Sequence, residues 1–267
     1  MRKFWGFCII VVALVFVYLP IIVLAVYSFT ESKSLIWSGF SIEPYLSLFS
    51  SSELINMLVN TAVLALLAAA IATILGTIGA IGIFYNKKIL GKFTSAASRI
   101  PVINAEIVTA ISLAFVFSFV FLRGTYFSLL IGHVVICVPF VVLSVLPKLK
   151  QMDSSLYEAA LDLGATPTQA LFKVVLPEIL PGVISGFLLA ITLSLDDYMV
   201  SAYNKPDGFE TISTFVYKAL AKPRNAALAE LRALSSIIFV VMVIGVLIIN
   251  FRSGSKYKKS KIKENRR

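Results

Sequence analysis

The chain has 267 residues, of which 58% are hydrophobic and 14% are charged, and its mean hydropathy is +0.91. This apolar excess is larger than a soluble domain of the same length could bury, which excludes an ordinary globular protein. The formal net charge of +10 comes from basic residues that cluster at the ends of apolar stretches. That pattern indicates a membrane protein in contact with lipid and disfavours a nucleic-acid-binding protein.

Six apolar stretches are long enough to cross a bilayer, because a spanning helix needs about 20 apolar residues. The stretches are continuously apolar and lack the alternation of lipid-facing strands, so they predict helices. We expect one all-α integral membrane domain over residues 1–267. The predicted spans are residues 4–29, 57–85, 100–122, 125–147, 179–203 and 234–251.

The first span follows Arg2 and Lys3 and therefore resembles a secretory signal. It is longer than the apolar region of such a signal, and residues 25–28 form a poor small-residue cleavage site. We predict that it is retained as a membrane helix.

The second span carries small residues at spacings that allow another helix backbone to approach closely. This pattern predicts tight packing of helices inside a bundle. The residues are Ala68, Ala72, Gly76, Gly79, Ala80 and Gly82.

The basic residues also predict the orientation of the spans. Of the 24 lysine and arginine residues, 17 lie in the N-terminal stretch, the connections after spans two and four, and the C-terminal stretch. Cytoplasmic connections carry an excess of such residues. We predict a multi-pass protein of the cell membrane with both termini in the cytoplasm.

The sequence offers no catalytic centre and no metal site. Cys8 and Cys137 lie inside apolar runs without metal-ligand spacing, which favours a packing role. The single histidine, His133, has no nucleophile or carboxylate close to it in sequence, so we expect it to bond to a neighbouring helix. We expect no cofactor.

The connection between spans four and five, residues 148–178, is unusually long for a loop, and long ordered loops tend to carry function. Asp153 or Ser154 can cap a first helix, and Gly164 can end that helix in a left-handed turn. The loop thus begins with a short amphipathic helix on the membrane surface.

A second short helix is predicted directly after this turn. Thr166 or Thr168 can cap it, and Pro167 fits its first turn. Pro177 and Pro181 are expected to interrupt it before the fifth span.

Within this loop, the residues Glu158, Ala159 and Ala160 are followed at fixed spacing by Gly164, Val174, Leu176 and Pro177. The pattern resembles the EAA loop of binding-protein-dependent ABC importer permeases, although the family usually has isoleucine where this chain has Val174. The resemblance implies a type I ABC importer permease bundle of six transmembrane helices. It also implies that the loop couples the bundle to an ATPase, through Glu158, Ala159, Ala160, Gly164, Leu171, Leu176 and Pro177.

That ATPase has to be a separate chain. A phosphate-binding loop needs a glycine, four residues and then Gly-Lys-Ser/Thr, but Gly91 and Lys92 are followed by Phe93. The implied partners are two ATPase subunits, a homologous partner permease, an extracytoplasmic substrate-binding protein and membrane lipid, with no nucleic acid. The chain itself is expected to be a non-catalytic subunit.

Further segments resemble the permeases of the spermidine/putrescine importers, the second of the two more closely. They are residues 59–61, 110–113, 133–142 and 194–198. The chain departs from that pattern at Ser213, where proline is expected, and around Arg232. The resemblance implies polyamine import, and two alternatives stay open: the same machine for an oxyanion, iron or another organic cation, and a self-sufficient secondary transporter.

Asp196, Asp197 and Tyr198 are the candidate residues of the substrate pathway. A polyamine carries several ammonium groups, which carboxylates and aromatic faces can bind. Adjacent helical residues point about 100° apart, so at most one of the two carboxylates is expected to face a lumen. Equally open is a structural role, in which both carboxylates reach the outer interface or pair with Lys205, Lys218 or Arg232.

Overall fold

The computed structural model describes residues 2–32, 37–85, 105–153, 155–221, 229–240 and 243–244, with side chains from Phe7 onward. All regular structure in these ranges is helical, which confirms the predicted all-α fold. The helices are α1 (Arg2–Tyr27), α2 (Glu43–Ser50), α3 (Ser52–Tyr85), α4 (Glu106–Phe119), α5 (Tyr126–Gln151), α6 (Ser155–Asp162), α7 (Pro167–Ala170), α8 (Leu176–Asp196), α9 (Met199–Asn204) and α10 (Ile212–Leu220). Residues 229–240 are also helical.

Four of these helical segments are long and apolar enough to cross a membrane: Phe7–Tyr27, Ser52–Tyr85, Tyr126–Gln151 and Pro167–Asp196. They correspond to predicted spans one, two, four and five. Helix α4, in predicted span three, is apolar but has 14 residues. Half of predicted span six, residues 241–242 and 245–251, lies outside the described residues. At 34 residues, α3 is about 51 Å long and exceeds the roughly 30 Å hydrocarbon core.

The chain divides into two compact units, one formed by residues 1–55 and 218–267 and the other by residues 56–217. In the first unit, Phe29 stacks on Phe40 and packs against Tyr45, with ring centroids 5.3 and 5.1 Å apart. The Tyr45 hydroxyl lies 2.7 Å from Ser28 Oγ. The Arg232 guanidinium donates to the carbonyl of Ser32.

The core of the second unit forms where α3, α5 and α8 pack through small residues. A Cβ on Gly76 would lie 2.7 Å from Val141 Cβ, and a Cβ on Gly186 would lie 3.2 Å from Val141 Cγ1. Both helices therefore approach α5 more closely than a larger residue would allow, as the small residues of span two predicted. The Cys137 thiol donates to the Ala190 carbonyl at 3.4 Å, which accounts for this cysteine as a packing residue.

A single π-helical turn, Leu171–Val175, joins α7 to α8 without a break. Within it the Leu176 amide donates to the Leu171 carbonyl, five residues back. In a regular α-helix Ala170 and Val175 would point about 140° apart, on different faces. In the structure both are fully buried. The extra residue of a π turn keeps them on one face. That face continues through Ile179, Gly182, Gly186, Ala190 and Ser194.

Two sequence expectations about this region are wrong. The second loop helix does not stop at Pro177 and Pro181, because it continues through the π turn into α8, and α8 runs past both prolines. The fifth span is not one helix to Tyr203. It ends at Asp196, and α9 begins at Met199.

Candidate functional site

The loop after α5 begins with the cap that the sequence predicted. Asp153 Oδ1 accepts a hydrogen bond from the Ser155 amide at 3.0 Å, and this bond holds the pKa of the Asp153 carboxyl below its usual value. The alternative cap, Ser154, lies outside the described residues. Helix α6 therefore starts at a side chain whose charge is favourable next to a helix N-terminus.

Gly164 ends α6 in a left-handed turn with φ +83°, as predicted. The Ala165 amide reaches back to the Ala160 carbonyl at 3.0 Å. No atom lies within 4 Å of a Cβ built at Gly164, so the backbone conformation alone requires glycine. Thr166 then forms a capping box with Gln169, which selects Thr166 over Thr168 as the start of α7.

The predicted coupling residues differ in how they are exposed. Glu158, Ala159, Gly164 and Pro177 are exposed, whereas Ala160 and Leu176 are half-buried. Leu171, which was expected to contact the ATPase, is half-buried against the core of its own unit.

Two apolar side chains of this loop are the most exposed, in contrast to half-buried Leu171. Leu163 is 89% exposed and Phe172 is 60% exposed. Neither residue was among the predicted coupling residues. Leu163 directly precedes the Gly164 turn, and this position is the sequence signal for its exposure.

Asp197 forms the break between α8 and α9. Its backbone is extended, and its carboxylate accepts from the Val200 amide at 3.3 Å and from the Ser201 amide at 2.9 Å. The residue is only 7% exposed. Asp197 thus acts as the N-cap of α9.

His133 connects three helices at this break. The imidazole is fully buried, with Nδ1 2.8 Å from Ser194 Oγ on α8 and Nε2 3.0 Å from Ser201 Oγ on α9. Nε2 also lies 3.6 Å from Asp197 Oδ2. This confirms the prediction that His133 bonds to neighbouring helices, and it supplies the carboxylate that the local sequence lacked.

Helix α9 is also held from its C-terminal end. Asn204 is fully buried; its amide nitrogen donates to the carbonyls of Val200 at 3.1 Å and of Ala110 at 3.4 Å. The Ser128 hydroxyl donates to the Asn204 carbonyl at 3.0 Å. These bonds tie α9 to α4 and α5.

The two adjacent carboxylates lie in different surroundings, because Asp196 is exposed and Asp197 is buried. Tyr198, the next residue along the chain, stacks on Tyr217 with ring centroids 4.1 Å apart and planes at 23°. The structure therefore leaves one exposed carboxylate, Asp196, close in sequence to a stacked aromatic pair.

Two of the basic residues considered from the sequence as partners of the Asp pair, Lys205 and Arg232, have other partners in the structure. Lys205 Nζ lies 2.9 Å from Glu210 Oε1, and Glu210 Oε2 accepts from the Thr214 hydroxyl at 2.7 Å. Arg232 donates to Ser32 in the other unit. The Lys205–Glu210 pair instead ties together the segment between α9 and α10.

The start of α10 is anchored by two hydroxyl groups. Ser213 Oγ donates to the Asp197 carbonyl at 2.6 Å, and Thr61 Oγ1 accepts from the Ile212 amide at 2.9 Å. A proline at position 213, as in the family pattern, could not make the first of these bonds. The departure at Ser213 therefore adds a contact at the α8–α9 break.

Within the described ranges, no three histidine, cysteine or acidic residues come together as metal ligands. The polar residues of the site are engaged in helix capping and helix connection. Asp196 is the exposed carboxylate at this break. The two serine hydroxyls beside the His133 imidazole are buried together with it.

Comparison with known families gives one match, to "Binding-protein-dependent transport system inner membrane component", over residues 73–253. The spermidine/putrescine transport system permease protein PotC of Haemophilus influenzae is 36% identical over 232 residues, covering 85% of this chain and 90% of the relative. The putrescine transport system permease protein PotI of Escherichia coli K12 is 31% identical over 256 residues, covering 92% and 90%.

Solved structures share the fold at lower identity. A bacterial ABC transporter involved in import of the acidic polysaccharide alginate has a TM-score of 0.67 at 20% identity, covering 94% of this chain and 96% of that one. The MetNI methionine ABC transporter has a TM-score of 0.55 at 22% identity, covering 76% and 95%. Proteins with different cargo thus share this helical arrangement.

Proposed function

The chain belongs to the family of binding-protein-dependent transport system inner membrane components, and on this premise we propose that it is the permease subunit of an ATP-driven importer of polyamines such as spermidine and putrescine. The observation that carries the proposal is the likeness to permeases named for these solutes along nearly the full length of both chains. It is a multi-pass membrane protein, as its family and its long apolar helices indicate.

The exposed carboxylate at the α8–α9 break supports a cationic solute. Asp196 can replace part of the hydration of an ammonium group, and the stacked rings of Tyr198 and Tyr217 offer a face for cation–π contact. Asp197 is already engaged by two amides and lies 3.6 Å from His133. We therefore assign the solute contact to Asp196 and a structural role to Asp197.

The loop after α5 is the proposed coupling element. Glu158 and Ala159 are exposed on α6, and Leu163 and Phe172 present apolar side chains on either side of the Gly164 turn. A separate ATPase subunit docks on this surface through these side chains, while Leu171 and Leu176 hold the loop to the permease. Helix α7 continues into α8 through the π turn. A displacement of the loop by the ATPase would therefore move the α8–α9 break through one continuous helix.

The proposed assembly contains a homologous partner permease, two ATPase subunits and an extracytoplasmic binding protein. In the proposed orientation the coupling loop and both termini face the cytoplasm, following the excess of basic residues on that side. The segment from Lys205 to Thr214, closed by the Lys205–Glu210 pair, then faces the binding protein.

A second candidate is the same importer with another solute. The solved neighbours are named for alginate and for methionine, and they share the fold. The helical arrangement therefore does not select the cargo. A self-sufficient secondary transporter is less well supported, because it would not require the exposed coupling loop.

The test is uptake by the complete complex in proteoliposomes, with binding protein on the outside and ATP on the inside. Radiolabelled spermidine and putrescine are offered in parallel with methionine and an alginate oligosaccharide. ATP-dependent uptake of the polyamines supports the proposal. Uptake of another solute, with the polyamines ignored, keeps the importer but rejects the proposed cargo.

A further inference from the structure

Building on the proposed function, we infer that His133 is a positioning residue for transport: it fixes the α8–α9 break and thereby the exposed placement of Asp196 and Tyr198. It does not touch the solute itself, because its side chain is fully buried. It acts through Ser194 on α8 and through Ser201 and Asp197 on the α9 side.

The sequence around the break contains neither of the two strong helix breakers, because residues 194–200 include no proline and no glycine. The local cap at Asp197 is supported by contacts from other parts of the chain. The structure provides two such contacts, His133 from α5 and Ser213 from α10.

These contacts replace the bond that a continuous helix would make. In an unbroken helix the Ser201 amide would donate to the Asp197 carbonyl, four residues back. Here that amide donates to the Asp197 carboxylate at 2.9 Å, and the carbonyl accepts instead from the Ser213 hydroxyl at 2.6 Å. The carboxylate has to stay in place for the exchange to hold.

His133 holds the start of α9 in place through Ser201 and lies against that carboxylate. Its Nε2 lies 3.0 Å from Ser201 Oγ and 3.6 Å from Asp197 Oδ2, while Nδ1 lies 2.8 Å from Ser194 Oγ. Both ring nitrogens of a buried histidine need polar partners, and those of His133 lie on two helices, Ser194 in the last turn of α8 and Ser201 in α9. The Ser201 arm ties the start of α9 to α5. Without that arm α9 is free to align with α8, which would rotate Asp196 and Tyr198 away from their present directions.

Two isosteric variants separate the arms of the bridge. Asparagine places a polar atom near the position of Nδ1 and so keeps only the Ser194 arm, whereas glutamine reaches the position of Nε2 and keeps the Ser201 arm. In the complete complex we expect His133→Gln to retain the wild-type KM for spermidine. We expect His133→Asn to raise KM by about tenfold with kcat changed less, because one buried hydrogen-bonded arm is lost.

A merely structural role gives a different result. It would lower the amount of assembled complex in both variants and leave the KM of the remaining complex unchanged, and that outcome would overturn the inference. Equal KM values for the two variants would overturn it as well.

A readout that needs no solute separates this inference from the proposed cargo. Spin labels at positions 189 and 203, where Leu189 and Tyr203 are about 40% exposed, report the distance between α8 and α9 in a complex whose Cys8 is replaced by serine. We expect His133→Asn to broaden or shift this distance and His133→Gln to preserve it. A control pair at positions 180 and 189, both on α8, should not change.

If the wild-type complex ignores polyamines but the distance still responds to His133→Asn, the cargo is rejected and the positioning role stands. If polyamines are transported and the distance is the same in both variants, the positioning role is rejected and the cargo stands.

Discussion

The amide of Ser201 is held by the carboxylate of Asp197, at 2.9 Å, in place of the backbone carbonyl that would receive it in a continuous helix. This one exchange marks the break between α8, which ends at Asp196, and α9, which begins at Met199, and Asp196 lies exposed beside it.

Replacing Asp197 should separate its capping role from any charge role. Asparagine retains a side-chain oxygen that can accept from the Ser201 amide, whereas alanine leaves the first amides of α9 without an acceptor. We expect Asp197→Ala to destabilise the purified complex by about 1–2 kcal/mol and Asp197→Asn by clearly less. Thermal unfolding of the two variants in the same detergent measures the difference. Equal losses would show that the buried charge, and not the cap, matters.

Replacing Gly164 should disturb coupling through the backbone alone. Its φ of +83° is costly for a β-branched residue, although the space around it is open. We expect Gly164→Val to reduce both uptake and solute-stimulated ATPase activity, and Gly164→Asn to retain most of both.

Gly208 provides the matched control for this experiment. It has a similar φ of +76° and equally open space, but it lies between α9 and α10. Gly208→Val imposes the same backbone demand away from the coupling loop, so binding of the ATPase subunits should remain unchanged. Loss of ATPase binding in both variants would indicate general instability.

The outward-pointing leucine of the loop should matter for docking and not for folding. Leu163 is 89% exposed, so Leu163→Ser removes apolar surface available to a partner without opening the permease core. We expect weaker co-purification of the ATPase with an unchanged melting temperature of the permease. Leu171→Ala should do the reverse, because Leu171 packs against the core. If Leu171→Ala weakened co-purification of the ATPase and Leu163→Ser lowered the melting temperature, Leu171 would be the contact residue, as first predicted.

Assembly of the complex should depend on how many residues the π turn contains and not on the side chain at position 173. Deleting the exposed Lys173 removes the extra residue and turns Ala170 by about 100° relative to the buried face of α8. We expect the deletion to abolish assembly of the complex, while Lys173→Ala assembles normally. Size-exclusion chromatography of the detergent-solubilised complex distinguishes the two variants. Normal assembly of the deletion variant would show that Ala170 need not share the buried face of α8.

Features fixed by neighbouring residues could be predicted from the sequence. The caps at Asp153 and Thr166 and the left-handed turn at Gly164 depend on bonds that span at most five residues. The apolar spans follow from composition, because lipid requires long apolar helices. These local rules also predicted the two short helices of the loop after α5.

Features fixed by distant residues could not be predicted. The break after Asp196 depends on His133, whose partner Ser194 lies 61 residues away, and no proline or glycine marks the position. The only sign of the π turn is that two buried residues, Ala170 and Val175, are five positions apart. The sequence alone does not show that both are buried. For the same reason the sequence alone could not separate exposed Leu163 from half-buried Leu171.

The central claim is that this permease passes a polyamine along the exposed carboxylate of Asp196, and spermidine uptake by three complexes tests it most directly. The complexes are the wild type, Asp196→Asn, and Glu53→Gln, whose exposed carboxylate lies at the start of α3. We expect ATP-dependent uptake in the wild type and in Glu53→Gln, and a KM about tenfold higher or more in Asp196→Asn, because a charge-assisted contact is lost. Wild-type KM in Asp196→Asn, or no spermidine uptake by the wild type, would contradict the claim.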